Sequence, residues 1–565
     1  MAREISPLQK VRAAYEPKLP KIFKEGNFKP QIGAPAFPKT DKAQIKKLFP
    51  KTYGQGEVKF VKGKGEGLTT KPINVAVILS GGQAPGGHNV ITGVFDAIKA
   101  ANSKSKVYGF KKGPGGAIKN NYMELTKKYV DAYRNTGGFD MIMSGRDKIE
   151  TPEQLAACKA NFEALKLSAV IIIGGDDSNT NAAVLAEYLA AAGSSVKVLG
   201  VPKTIDGDMK NEQIETSFGF DTATKTYSEL IGNIERDASS AVKYWHFIKL
   251  MGRAASHVAL ECALQTQPNI CLISEEVKEK GTTLSEIVDY IADVVCKRAA
   301  EGKNYGVVLI PEGLPEFISD IKTTIDEISD ILGKDAKALE DKSKSERLIY
   351  IEKKLKGHSA EVFHSLPEND RLILTTRDNH GNVPLSQVET EKLLMTLVGN
   401  KIKELKAKGK AEGVKFSALG HFFGYEGRCA APSNFDADYC YSLGYTAAQM
   451  ARAGLTGYTV NVQNTIMPAD KWVAGATPVT MMLNMEQRKG KPTPVIKKAL
   501  VETKGNPFKF FASQRDKWAV EDCFTYPGSI QYFGPSEVCD LPTKTLILEK
   551  KTAPCKKACK KTSKK

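Results

Sequence analysis

Short apolar runs that stop at glycine, serine or proline, each followed by a helical pattern, govern what this chain can fold into. They read "INVAVILS" (73–80), "KVYGF" (106–110), "DMIMSG" (140–145), "AVIIIGG" (169–175), "KVLGVP" (197–202), "NICLISEE" (269–276), "YGVVLIPEG" (305–313) and "KFSALG" (415–420). A run that is apolar at nearly every position, not every second one, describes a strand buried on both faces. Separated by amphipathic helices, such strands make parallel sheets with helices on both sides. The expected fold class is α/β, with two doubly wound parallel-sheet domains. One cluster of runs lies before about residue 235 and one after it, so two domains should face a common cleft. Ligands of such sheets sit beyond the carboxyl ends of the strands.

Changes of texture set the expected boundaries. Residues 1–71, rich in Pro and Lys, form an N-terminal extension. Residues 72–235 form the first α/β domain, and 236–317 with 411–480 the second. Between them, 318–410 carries Lys, Glu, Leu and Ile at helical spacing, which predicts a helical insertion with solvated charged faces. Residues 481–549 are expected to pack on the core. The end, "KKTAPCKKACKKTSKK" (550–565), predicts a basic, disordered tail.

The formal charge of +17 raises the question of nucleic acid, and its distribution answers against it. Residues 1–71 hold 16 Lys+Arg and 6 Asp+Glu, and 550–565 hold 8 lysines and no acid. The body between is close to neutral, so the excess sits on the ends. No run of 18 apolar residues predicts a membrane span. The first residues lack the apolar stretch of a secretory signal. The 10 cysteines are scattered and form no CxxC pair. They read as buried or free thiols of a cytoplasmic protein.

Chemistry collects at the strand ends. After "INVAVILS", Gly81, Gly82, Gly86 and Gly87 allow a backbone to approach an anion closely. No Gly-Lys-Ser/Thr follows, and the spacing is not GxGxxG, so neither a P-loop nor a dinucleotide fingerprint is present. Arg146 stands at a loop edge, where a guanidinium can clamp phosphate oxygens. In "PKTIDGD", Lys203, Thr204, Asp206 and Asp208 crowd one tight loop. A carboxylate beside a lysine there fits a general base and a phosphate stabiliser. "KYWHFIKLMGRAASHVALECAL" offers Lys243, Tyr244, Met251, Gly252 and Arg253, the last leading into an apolar helix, with Glu312 after "VVLIP" and Tyr425 and Arg428 in a glycine-rich loop. Arginine, lysine, glutamate and tyrosine around one cleft suit a phosphorylated polyol. His257 and His421 read as core residues. The turn "GGDDS" is harder to explain. A glycine turn into a helix N-terminus favours anions, yet it carries two carboxylates, Asp176 and Asp177. One of them can hold a metal.

Six motifs in order, "GGQAPGGHN", "GGDDS", "PKTIDGD", "MGR", "PEG" and "GYEGR", resemble the phosphofructokinase family, and within it the long, pyrophosphate-dependent type. The resemblance covers about 72–545. It implies a reversible, Mg²⁺-dependent glycolytic phosphotransferase acting on fructose 6-phosphate and pyrophosphate. It implies Asp206 as the base, with Arg253, Lys203 and Asp208 also catalytic, and Asp176 as the metal anchor. Gly82, Arg146, Asp177, Ser178 and Lys203 would bind diphosphate. Fructose 6-phosphate would be held by Thr204, Ile205, Asp206, Met251, Gly252, Arg253, Glu312, Tyr425, Glu426, Gly427 and Arg428. Lys243 and Tyr244 match positions that reach in from a neighbouring subunit, which implies a homodimer or higher homo-oligomer. ATP-using members typically carry glycine where this chain has Asp177 and Lys203. An ATP-dependent phosphofructokinase is therefore the nearest alternative. A non-catalytic regulatory subunit is a more distant one, because "TIDGD" and "GGDD" are intact.

Overall fold

The computed structural model describes residues 6–339, 342–377, 383, 387–488 and 491–529. The expected basic tail, 550–565, and residues 530–549 of the C-terminal segment lie outside the described residues. The strands, in chain order, are β1 (Phe28–Pro35), β2 (Gly56–Lys62), β3 (Asn74–Leu79), β4 (Lys106–Phe110), β5 (Tyr122–Glu124), β6 (Leu167–Gly174) and β7 (Lys197–Pro202). They continue with β8 (Tyr244–Leu250), β9 (Ile270–Cys271), β10 (Tyr305–Pro311), β11 (Ala418–Phe423), β12 (Tyr458–Gln463), β13 (Val473–Pro478), β14 (Leu483–Arg488) and β15 (Lys491–Ile496).

Nine strands form the large sheet in the order β1-β2-β13-β12-β7-β6-β3-β4-β5. Its middle, β12-β7-β6-β3-β4, is parallel, and both flanks are antiparallel. The continuous apolar runs are explained by cover on both faces. Val75, Val77, Ile171 and Ile173 join one core cluster, whereas Ala76, Ile78, Val170 and Ile172 join another on the opposite face. The chain leaves β3 for β4 on one side and returns to β6 and β7 on the other. The reversal between β3 and β6 opens a crevice at their carboxyl ends, where such sheets bind ligands.

The second sheet is parallel throughout, in the order β11-β8-β10-β9. Ile248, Leu250, Val307 and Leu309 share a core cluster with the large sheet. Trp245, Phe247, Val308 and Ile310 face away and are covered by Ile321, Ile325, Phe363, Leu394 and Val398. Those covering residues come from 318–410, whose described residues include helices Ser319–Lys334, Lys344–Lys354, Gly357–Ser365, Glu368–Leu374 and Thr390–Ala407. The insertion thus shares the cover of this face with helix Leu284–Ala300, whose Ile287, Ile291 and Val295 join the same cluster. Buried Lys249 pins it to β8, with its ammonium 3.4 Å from Glu391 and 2.8 Å from Val388 O.

Two expectations about the strands are corrected. "DMIMSG" forms no strand. Its buried stretch is only Met141 and Ile142, Met143 turns to φ 60°, and β5 already occupies the edge beside β4. Only a single bridge remains, between Gly145 and Ser80. Residues 411–480 also divide. β11 joins the second sheet, but β12 and β13 join the large one. Helix Asn434–Arg452 leads the chain there by packing on helix Gly87–Ala101. The contact is backbone on backbone. A Cβ on Gly93 would meet Tyr441 O at 2.3 Å, and one on Gly444 would meet Val90 O at 2.0 Å. Strands β1 and β2 place the N-terminal extension on the same sheet. β8 itself, "YWHFIKL", is a strand that the apolar-run reading passes over because Lys249 and His246 interrupt it.

Candidate active site

Six strand ends converge on one cleft. β3, β6 and β7 contribute from the large sheet, and β8, β10 and β11 from the second.

The first half is densely wired. Gly81, with φ 83°, donates its N–H to Gly145 O at 2.9 Å, which seats Arg146 beside the glycine turn on an exposed edge. Gly82 O accepts from Lys203 Nζ at 2.8 Å. A Cβ at Gly81 would lie 3.9 Å from both Lys203 Nζ and Ser178 Oγ, and one at Gly82 would lie 3.8 Å from Arg428 Nη1. Ser178 Oγ donates to Ser80 Oγ at 2.8 Å, tying the helix that follows β6 to the end of β3. Asp176 and Asp177 open that helix, Asp176–Ala191. Asp176 is largely enclosed and Asp177 is exposed.

The loop after β7 carries the strongest electrostatic perturbations. Burial lowers Lys203 to about 8, against the pull of Asp206 and Asp176. Burial also raises Asp206 to about 7, helped by Asp208 and Glu312 and opposed by Lys498 and Lys203. Thr204 Oγ1 accepts the Asp206 N–H at 3.0 Å and so fixes the loop, while Ile205 anchors it in the core. Burial raises the Asp176 carboxyl too, with Lys498 opposing.

The second half is looser. Gly252, at φ 132°, donates its N–H to Glu312 Oε2 at 3.0 Å. A Cβ on Gly313 would meet Arg253 O at 1.9 Å, so the glycine of "PEG" lets the ends of β8 and β10 touch. Met251 N–H donates to Phe423 O at 3.0 Å, joining β8 to β11. Arg253, Tyr425 and Glu426 are exposed, and Tyr425 is 61% accessible. Arg428 stacks its guanidinium 4.5 Å from the Tyr425 ring centre. Gly427 is buried, and Glu426 Oε2 accepts the Gly424 N–H at 3.1 Å. Arg428 stands beside Gly82, so it spans the two halves of the cleft.

Lys243 and Tyr244 are not brought to this cleft. They sit at the amino end of β8, the opposite end from Met251, with about 20 Å of strand between. Val242 and Tyr244 adopt φ 53° and 71°, and the Lys243 ammonium lies 4.9 Å from the Tyr244 ring centre. His257 and His421 make structural contacts. His257 Nε2 lies 3.0 Å from Ala499 O, and His421 Nε2 lies 2.9 Å from His246 Nδ1.

Two residues of the site escape sequence reasoning. Asn179, one position past "GGDDS", is buried and clamps the turn. Its Nδ2 donates to Gly174 O at 2.7 Å and Gly175 O at 2.9 Å, and its Oδ1 accepts from Thr459 at 2.9 Å. An asparagine directly after the motif is a signal that could have been followed. Lys498 belongs to no motif. Its Nζ lies 3.4 Å from Asp208 Oδ2 and 3.8 Å from Asp176 Oδ2.

The donor set bears on the metal. Mg²⁺ keeps several waters and is usually held by one or two carboxylates plus substrate phosphates. No group of three or more His, Cys, Asp or Glu that could cage a metal occurs among the described residues. Asp176, with Asp208 nearby, fits an ion that arrives with its phosphates and does not fit a closed protein cage. No helix among the described residues is long and apolar enough to cross a membrane. The seven cysteines among them are free.

The chain is similar to known proteins along almost all of its length. The family model described as phosphofructokinase matches residues 74–451. Pyrophosphate–fructose 6-phosphate 1-phosphotransferase of Porphyromonas gingivalis is 52% identical over 546 residues, covering 96% of this chain and 99% of its own. The protein of that name from Entamoeba histolytica is 51% identical over 553 residues, with the same coverage of 96% and 99%. Among solved structures, a pyrophosphate-dependent phosphofructokinase from Nitrosospira multiformis superposes with a TM-score of 0.52 at 15% identity, covering 81% of this chain and 93% of its own, which speaks to the fold alone. With a family match over two thirds of its length and relatives near half identity along almost all of it, the chain belongs to the phosphofructokinase family.

Proposed function

We propose that this chain transfers a phosphoryl group from pyrophosphate to the 1-hydroxyl of fructose 6-phosphate, reversibly, giving fructose 1,6-bisphosphate and phosphate in glycolysis. The observation that carries the reading is the loop after β7. It holds a carboxyl raised to about 7 and an ammonium lowered to about 8 at one strand end. A base whose pKa lies near the working pH best combines being ionised with a driving force for taking the proton.

The Asp206 carboxylate accepts the proton of the sugar hydroxyl. The hydroxyl oxygen forms the new P–O bond as the bridging P–O bond of pyrophosphate breaks and phosphate departs. Phosphoryl transfer asks mainly for in-line positioning and charge neutralisation. Lys203, the backbone at Gly82, Ser178 and Arg146 surround the diphosphate. Arg428 Nε, buried with no acceptor among the described residues, has a donor to spare for a phosphate oxygen. Asp208 sets the charge around Asp206. When bound, Mg²⁺ at Asp176 supplies charge neutralisation of the diphosphate oxygens. Thr204, Ile205, Met251, Gly252, Arg253, Glu312, Tyr425, Glu426 and Gly427 hold the sugar phosphate.

Asp177 stands exposed on the first turn of its helix, where a nucleotide's α-phosphate would pass, and repels it. Lys243 and Tyr244, turned away from their own cleft, complete the site of a neighbouring subunit, so the working unit is at least a homodimer. The near-neutral charge of the body argues against a nucleic-acid partner, and the free thiols among the described residues suit the cytoplasm. The test is turnover with fructose 6-phosphate and Mg²⁺, with pyrophosphate set against ATP. Pyrophosphate is expected to be strongly preferred. Turnover with ATP equal to or above that with pyrophosphate overturns the reading, and Asp177→Gly is expected to move the preference toward ATP.

A further inference from the structure

Lys498 sits on a strap that joins the two domains. The β14–β15 hairpin before it packs on the large-sheet side, with Leu483 and Ile496 in one core cluster with Ala183 of helix Asp176–Ala191. Helix Asn506–Val520 after it packs on helix His257–Thr266. Between them the backbone is fixed at three points. Ala499 N–H donates to Asp208 O at 2.7 Å, Ala499 O meets His257 Nε2 at 3.0 Å, and Val501 N–H donates to Glu275 Oε1 at 2.9 Å. The side chain is therefore delivered to one place. Its ammonium lies between Asp208 Oδ2, at 3.4 Å, and Asp176 Oδ2, at 3.8 Å, with Asp206 and Arg253 the other charges acting on it.

We infer that Lys498 is a built-in counter-ion that makes metal binding at Asp176 conditional on the diphosphate. An ammonium between two carboxylates stands where a divalent cation would otherwise be drawn, and like charges so close repel strongly. Without diphosphate, Lys498 neutralises Asp176 and Asp208, and free metal is held weakly. With diphosphate, the phosphate oxygens supply the negative charge that brings the metal in and offer the ammonium a new partner. Metal and diphosphate then raise each other's affinity by one common factor, because linkage is reciprocal. Lys498 is a positioning residue in this scheme, and the scheme rests on Asp176 being the metal anchor.

The experiment measures Mn²⁺ bound to the full-length chain by equilibrium dialysis, with and without pyrophosphate, the Mn²⁺ held by pyrophosphate in the protein-free compartment being subtracted. K498M is expected to bind Mn²⁺ about tenfold tighter than wild type in the absence of pyrophosphate, within the usual range of coupling factors. Its gain in metal affinity on adding pyrophosphate should shrink by the same factor. Its kcat with pyrophosphate should fall, with the KM for fructose 6-phosphate little changed. K498R, which keeps the charge, should retain the weak free-metal binding of wild type. K498M binding Mn²⁺ no tighter than wild type overturns the inference, as does K498R behaving like K498M. The double variant K498M/D176N separates the two levels. It should lose the tightened binding, and if it binds as tightly as K498M, the assignment of Asp176 as anchor fails instead.

Discussion

The two halves of the cleft are built differently. On the side of β3, β6 and β7, polar groups are bonded into the fold: buried Lys203 to Gly82 O, Ser178 to the Ser80 hydroxyl, Asn179 to the turn carbonyls of Gly174 and Gly175. On the side of β8, β10 and β11, Arg253, Tyr425 and Glu426 reach into solvent. On the proposed reading, a small, highly charged donor meets a preformed cradle, in which fixed dipoles and charges need no reorganisation at the moment of transfer. On the proposed reading, the sugar side is left open because a neighbouring subunit completes it. Lys243 and Tyr244 sit at the far end of β8, away from their own cleft.

This contrast can be broken at its strongest point first. Asp206→Asn should lower kcat by about 10²–10⁴-fold with little change in the KM for fructose 6-phosphate. Steady-state turnover near wild type would remove the base from the preformed half. Lys203→Met should cost about 10²–10³ in kcat, the scale of losing one donor to developing charge. It should leave sugar binding intact by isothermal titration.

The open half is tested by complementation. Lys243→Ala alone should raise the KM for fructose 6-phosphate. Assayed at fructose 6-phosphate far below the KM of Lys243→Ala, subunits carrying Lys243→Ala, mixed and refolded with subunits carrying Asp206→Asn, should recover about a quarter of wild-type turnover, since half of the dimers then hold one intact site. No recovery would return Lys243 to its own chain.

A pH series sharpens the same contrast. Burial raises Asp206 to about 7, so kcat/KM should fall as pH drops below 7 and the carboxylate takes up its proton. Burial lowers Lys203 to about 8, so the rate should fall again above pH 8 as the ammonium loses its charge. Lys203→Met should remove the alkaline limb and leave the acid one. The smallest effect on catalysis belongs to Gly444→Ala. A methyl there collides with Val90 O, which should cost about 1–3 kcal/mol of stability in a urea melt and leave activity per folded molecule unchanged.

Much of this was legible in the chain because it is local. An apolar run ending in glycine declares a strand and its turn, and four of the runs become β3, β4, β6 and β7 with nearly the expected bounds. Lys203 and Asp206 share one loop, so their meeting needs no long-range knowledge. Arg428 is different. Its motif announces a sugar-side residue, but its guanidinium stands beside Gly82, and only the closing of one domain on the other puts it there. Lys498 reaches Asp176 and Asp208 along a strap whose course is set by backbone hydrogen bonds, which no side-chain pattern encodes.

By itself, then, the sequence determined the α/β class, the strand-end loops and the residues in them that can move a proton or hold a phosphate. Tertiary structure decided which sheet each strand joins and which distant charges share a site. The division has a physical reason. Hydrophobic period and turn chemistry act over a few residues, whereas β12 and β13 join the large sheet because the helix before them, Asn434–Arg452, meets helix Gly87–Ala101 at Gly93 and Gly444, where two backbones can touch.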